Sequence, residues 1–365
     1  MTQNTIINNQ GSKSRDSNLE LYRIICMLMI VAHHYVTSSG FTGAGGPIEG
    51  NPHNINSLFL LVFGAWGKTG INCFVMITGY YMCKSKITIR KFLKLLLQVE
   101  FYKILFYLLF LGNGYENLTS MRLVEIVMPF WGFQNDFVSC FIAFYLLIPF
   151  LAILVNNMSK QEHELLMLLL FVGYTMLGSI PSFKISFNYI TWFCNLFVLS
   201  SYIRLYPSKL LENKRIWGSV AIISILLASL SIIVLHWYLS AGTFFVSDCN
   251  KIFAVVIGWS SFLFFKNIKI KRNNIINTIS ASTFGVLLIH ANSSAMRQWL
   301  WRDFLNVPTL FSLPLWQLIF YSIGVVLLVF GVCSLLDQIR ISIIEKPFFR
   351  LYDIKFSNKI NNNNE

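Results

Sequence analysis

Residues Ile216–Leu239 read IWGSVAIISILLASLSIIVLHWYL, with no Asp, Glu, Lys or Arg in 24 positions. At 1.5 Å per residue a helix over this stretch is about 36 Å long, enough to cross roughly 30 Å of hydrocarbon. In lipid no water satisfies backbone N–H and C=O groups, so a crossing segment must be helical. Phe137–Val155, Leu165–Phe183 and Leu315–Leu336 are equally free of charge. Six further stretches carry isolated polar residues: Leu19–Thr37, Ser57–Met82, Phe92–Leu111, Phe187–Ile203, Thr243–Phe265 and Ile279–Met296. The fold class expected is all-α: a polytopic transmembrane bundle of about ten spans over residues 19–350. A disordered N-terminus (1–18) and a polar tail (351–365) flank it.

Composition agrees. Of 365 residues 55% are hydrophobic and 12% charged, against roughly a quarter charged in a soluble domain. The net charge of +13 is set by placement, and no nucleic-acid partner is implied. Lys84, Lys86, Arg90, Lys91 and Lys94 follow the second span, and similar clusters follow the sixth, eighth and tenth. The alternate loops hold only Arg122, Lys184, Lys251, Arg297 and Arg302. This positive-inside pattern predicts that both termini are cytoplasmic. The seven cysteines stand singly, with no metal-type spacing, and read as packing residues. No metal site is expected. No cleavable leader precedes the first span, which is expected to stay in place.

Charges inside spans are costly, about 2.5–3.5 kcal/mol each on insertion scales, and mark functional candidates. The first span carries Arg23, His33 and His34. Arg23 and His34 are eleven residues apart, three helical turns plus roughly 20°, so they share a face about 16 Å apart along the axis. His33 points away from that face. The bland alternative is that Arg23 snorkels and His34 bonds a neighbouring helix. Glu100 and Lys103 can neutralise each other at i,i+3. Lys68 falls in the glycine-broken stretch Gly64-Ala-Trp-Gly67-Lys68-Thr-Gly70, and His290 lies at a depth matching His34.

These residues carry a resemblance. The chain resembles the acyltransferase 3 family, in its surface-polysaccharide O-acetyltransferase branch. Glu20, Arg23 and His34 match the family's acidic residue, arginine, ten residues, histidine. Gly70-Ile-Asn72 to Gly79-Tyr80 looks like its glycine-flanked aromatic stretch. Lys91 and Lys94, with Arg90 adjacent, stand where two arginines three apart are usual; lysine keeps the charge and loses the planar fork. Phe130-Trp131-Gly132-Phe133, Tyr145 to Phe150, Thr283 to Asn292 and Glu345-Lys346-Pro347-Phe348 complete the ordered matches.

The resemblance implies transfer of an acyl group, usually acetyl, from acyl-CoA to a hydroxyl of a polysaccharide or lipid-linked glycan outside the cell membrane. Acetyl-CoA is then a co-substrate, and no tightly bound cofactor is expected. Arg23, Arg90, Lys91 and Lys94 would hold the CoA phosphates. His34 would act as general base, with Glu20 orienting Arg23, and a covalent acyl-His34 stays open as a variant. His290 or Asn72 would serve as oxyanion donor. The rivals are a flippase for a lipid-linked glycan, which usually shows an internal repeat this chain lacks, and a structural membrane subunit.

Overall fold

The computed structural model describes residues 16–43, 45–131, 136–239 and 241–361, with side chains to 355. The polar segment 1–15, the tail end 362–365, and Gly132 and Phe133 of the Trp-Phe stretch lie outside the described residues. No strand occurs among the described residues. In chain order the helices are α1 (Ser17–Thr37), α2 (Pro47–Gly50), α3 (Ile55–Gly64), α4 (Gly67–Met82), α5 (Ile89–Gly112), α6 (Ser120–Val127), α7 (Phe137–Asn157) and α8 (Lys160–Leu170). There follow α9 (Tyr189–Leu205), α10 (Lys214–Leu239), α11 (Ile252–Asn267), α12 (Asn274–Ala281), α13 (Thr283–His290), α14 (Ser294–Gln298), α15 (Leu315–Arg340) and α16 (Lys346–Asn361).

Six of these, counting α3 and α4 together, are long and apolar enough to cross a membrane. A seventh span results if α12–α13 and the segment Ser294–Phe304, bent by 95° at the break, count as one. The sequence predicts ten. The other three predicted spans are helical but short or irregular. Helix α9 has 17 residues and α11 has 16. The stretch from Leu165 becomes the end of α8, a π-helical turn at Phe171–Met176 and a 3-10 turn at Leu177–Ser179. Helix α9 runs largely inside the bundle: Trp192, Phe193 and Phe197 are fully buried. By contrast Leu226 and Leu230 of α10 and Leu327 and Leu335 of α15 are exposed on the outside, as a lipid-facing surface requires. Helix α16 continues through residues 351–361 of the tail.

Helix α1 is the axis. It packs on α3, α4, α11, α12, α13 and α15, and Tyr22, Cys26, Met27, Val31 and Tyr35 are all but inaccessible. All seven cysteines are free thiols, six of them buried, in keeping with packing roles.

Glycines at Gly64, Gly67 and Gly70 set the approach of α3 and α4 to α1. A Cβ at Gly64 would lie 2.7 Å from the Val36 Cβ, and one at Gly70 would lie 2.8 Å from the Cys26 carbonyl oxygen. At Gly67 the His33 ring leaves no room for a Cβ. The close approach lets His33 Nδ1 donate to the Gly64 carbonyl at 2.7 Å, using a backbone group at the α3–α4 break. Gly67→Ala should cost about 1–3 kcal/mol by overpacking. Thermal unfolding of the detergent-solubilised protein reads this, and an unchanged midpoint would mean that α4 has slack here.

Candidate active site

Because α1 is unbroken from Ser17 to Thr37, the shared face of Arg23 and His34 survives in the fold. At the His34 end, α13 stands beside α1 and ends on His290. His34 Nδ1 lies 2.9 Å from His290 Nε2, and His290 Nδ1 lies 2.6 Å from the Val286 carbonyl oxygen. These contacts assign the tautomers of two neutral rings. A carbonyl only accepts, so His290 carries its proton on Nδ1 and its Nε2 accepts. His34 must then donate from Nδ1. That leaves His34 Nε2 as an unprotonated nitrogen, with no protein partner among the described residues.

His34 lines a cavity of about 360 Å³. Ile30, Ile71, Val99, Leu287 and Leu288 line it with apolar surface, and His33, Lys68, Lys103, Arg122, Asp136 and Arg297 line it with polar groups. The other side of the ring faces His290, which is fully buried. A base with one nitrogen open to a cavity, and the other fixed by a neighbour, can take a proton from a bound hydroxyl.

The cations around the cavity are mostly committed. Lys68 donates to the Tyr189 hydroxyl at 2.8 Å and lies 3.9 Å from Asp248. Lys103 is 3.7 Å from Glu100 and donates to the carbonyls of Glu125 and Met128. The predicted Glu100–Lys103 pair is therefore present but loose, and both Glu100 oxygens are buried without hydrogen bonds. Arg122 bridges Glu116 and Glu125 at 2.7 and 2.6 Å.

The remaining predicted residues lie elsewhere. Glu20 is buried, accepts a short hydrogen bond from the Ser280 hydroxyl, and lies 3.7 Å from Arg23. It is fourteen residues from His34, about 21 Å along the helix, so it reaches Arg23 and not the imidazoles. Arg23 does not line the cavity. On the face between Arg23 and His34, Met27 and Ile30 are buried and close the way.

Arg90 gives Nε and Nη2 to Asp353 at 2.9 and 3.0 Å, Lys94 pairs with Glu345 at 2.6 Å, and Lys91 donates to the Lys86 carbonyl. The structure thus ties this basic cluster to α16 and its approach; no hydrogen bond or ion pair among the described residues joins it to Arg23.

Neither predicted oxyanion donor is available. His290 Nε2 is an acceptor turned into the protein. Asn72 is fully buried, donates to the carbonyls of Cys249 and Ala254, and accepts from the Trp192 indole. Its partners come from distant helices, so it locks α4 to α9 and α11.

The sequence reading missed Arg297 and the Lys68–Tyr189 contact as parts of the site. Turn residues Asn292, Ser293 and Ser294 are the signal that the chain bends after His290 and returns Arg297 to the cavity.

One family comparison bears on the chain. A family model for an acyltransferase domain, that of the acyltransferase 3 family, matches residues 16–335. No curated protein and no solved structure matches the chain.

Proposed function

The chain belongs to the acyltransferase 3 family, and on that premise we propose that this membrane acyltransferase moves an acetyl group from cytoplasmic acetyl-CoA to a hydroxyl of a cell-surface or exported polysaccharide. The observation that supports the reading is the Val286–His290–His34 hydrogen-bond chain, which aims a basic nitrogen into a cavity. We place the Arg23 end in the cytosol and the His34 end outward in a bacterial cell membrane, as the loop charges suggest.

The acceptor enters the cavity from the outer side, and His34 Nε2 takes the hydroxyl proton as the oxygen attacks the thioester carbonyl. The donor's nucleotide stays at the opposite end, near Arg23 and the Arg90–Lys94 cluster. The pairs Arg90–Asp353 and Lys94–Glu345 are about half exposed on the cationic side. An exposed pair such as Arg90–Asp353 contributes little, so phosphate can replace that carboxylate. The arm of the donor spans the ~16 Å from Arg23 to His34. Met27 and Ile30 close that face at rest, and the arm displaces them; methionine, with three rotatable bonds, adapts readily.

Purified protein given labelled acetyl-CoA and a panel of saccharides tests the proposal through label transfer or release of the free thiol. Complete inactivity across the panel and with water would count against it. Arg23→Ala is expected to raise the acetyl-CoA KM about tenfold or more, the loss of one charge-assisted contact, with kcat within a few-fold. Loss of folded protein would instead assign Arg23 to packing.

A further inference from the structure

The acyl transfer proposed above needs a donor for the carbonyl oxygen as it becomes an oxyanion, and both candidates legible in the sequence are spoken for. The cavity wall offers another. Arg297 lines the cavity with His34. It sits on α14, just beyond the 95° bend that follows His290, and Ser293 caps that helix by accepting from the Met296 N–H. The other three cations on the wall, Lys68, Lys103 and Arg122, each have a carboxylate within 4.0 Å. Arg297 has no carboxylate and no side-chain hydrogen-bond partner among the described residues. A guanidinium held at the edge of a membrane bundle without an internal counter-charge is costly, unless a ligand supplies the negative charge.

We propose that Arg297 is a catalytic residue that stabilises the tetrahedral oxyanion. The inference rests on the acyl-transfer reading. The acceptor oxygen bonds to the thioester carbon while its proton passes to His34 Nε2. The carbonyl π pair moves onto oxygen, where the Arg297 N–H groups donate to it. When that pair returns, the C–S bond breaks, and the departing sulfur takes the proton from His34. Guanidinium donors fixed beside the reacting carbon act on charge that exists only in the transition state, so they raise kcat more than affinity.

The test uses the full chain in detergent, acetyl-CoA as donor, water and then a saccharide that the wild type acetylates as acceptors, and thiol release as readout. Arg297→Ala should lower kcat by roughly 10²–10³-fold, the usual loss for one oxyanion donor. The acetyl-CoA KM should stay within threefold, and free guanidinium should restore part of the rate. Arg297→Lys should retain more activity than Arg297→Ala. A kcat within threefold of wild type would overturn the proposal. So would normal hydrolysis with a defect confined to the saccharide KM, which would make Arg297 an acceptor anchor. A loss that accompanies a lower unfolding midpoint and resists guanidinium would make it structural. His34→Ala in the same assay separates the two levels. If it too is active, the acyl-transfer reading fails; if it is dead while Arg297→Ala works, only this inference fails.

Discussion

His34→Ala should lower acetyl transfer by about 10²–10⁴-fold, the usual range for loss of a positioned general base, with the protein still folded in the membrane. The expectation follows from proton placement. Val286 fixes the proton of His290, His290 fixes that of His34, and His34 Nε2 is left to the cavity. Alanine removes that nitrogen together with the hydrogen bond to His290 on α13. His33 provides the control. It touches the same cavity, but its Nδ1 donates to Gly64, and no second ring fixes it to α13. His33→Ala should keep activity within about tenfold, since it leaves the His34–His290 pair and its base in place. Label transfer in membranes, normalised to protein present, reads both variants. Equal activity of wild type and His34→Ala would sink the scheme, and a dead His33→Ala beside an active His34→Ala would reverse the assignment. His290→Gln should fall between them, because its amide can still accept from His34 but places that acceptor less rigidly.

How much of this was legible depends on the range of the interactions. Arg23 and His34 share a helix, and helical arithmetic alone puts them on one face. His290 was legible by depth, since spans of similar length bring residues at matching positions level. Asn72 was misplaced because its three partners, Cys249, Ala254 and Trp192, lie 120 or more residues away, and no local pattern announces them. The Arg90–Lys94 cluster read as free because the residues that hold it, Glu345 and Asp353, lie on the far side of the last span. The count of ten spans failed the length test where apolar stretches are enclosed by protein: α9 and α11 need not match the bilayer's thickness, since neighbouring helices cover them.

The largest stability effect is expected at Arg340, which the sequence shows only as one of several basic residues after the last long span. Its Nε donates to Asp337 at 2.8 Å and its Nη1 to Glu345 at 2.9 Å, and Glu345 also holds Lys94. Asp337 is fully buried and accepts further bonds from the Tyr102 hydroxyl at 2.9 Å and from Gln98. Its second oxygen has no partner, and its carboxylate leaves no room for a Cβ at Gly285 on α13. The network therefore clamps α5, α13 and α15 together. Arg340→Met keeps the stem and deletes the charge, leaving Asp337 as a buried anion without its cation. Breaking a buried pair in this way costs about 3–5 kcal/mol. Glu345 suffers less, because Lys94 remains. Combining Arg340→Met with Asp337→Asn removes the stranded charge and should recover at least half of the loss. Thermal unfolding of the three detergent-solubilised variants against wild type decides the matter. If Arg340→Met unfolds at the wild-type midpoint, or if the double variant is no better than the single, the clamp is not held by charge. The same comparison bears on activity. Helix α13 carries His290, five residues beyond Gly285, so an arginine-free clamp should loosen the histidine pair and lower kcat, and the double variant should restore both together.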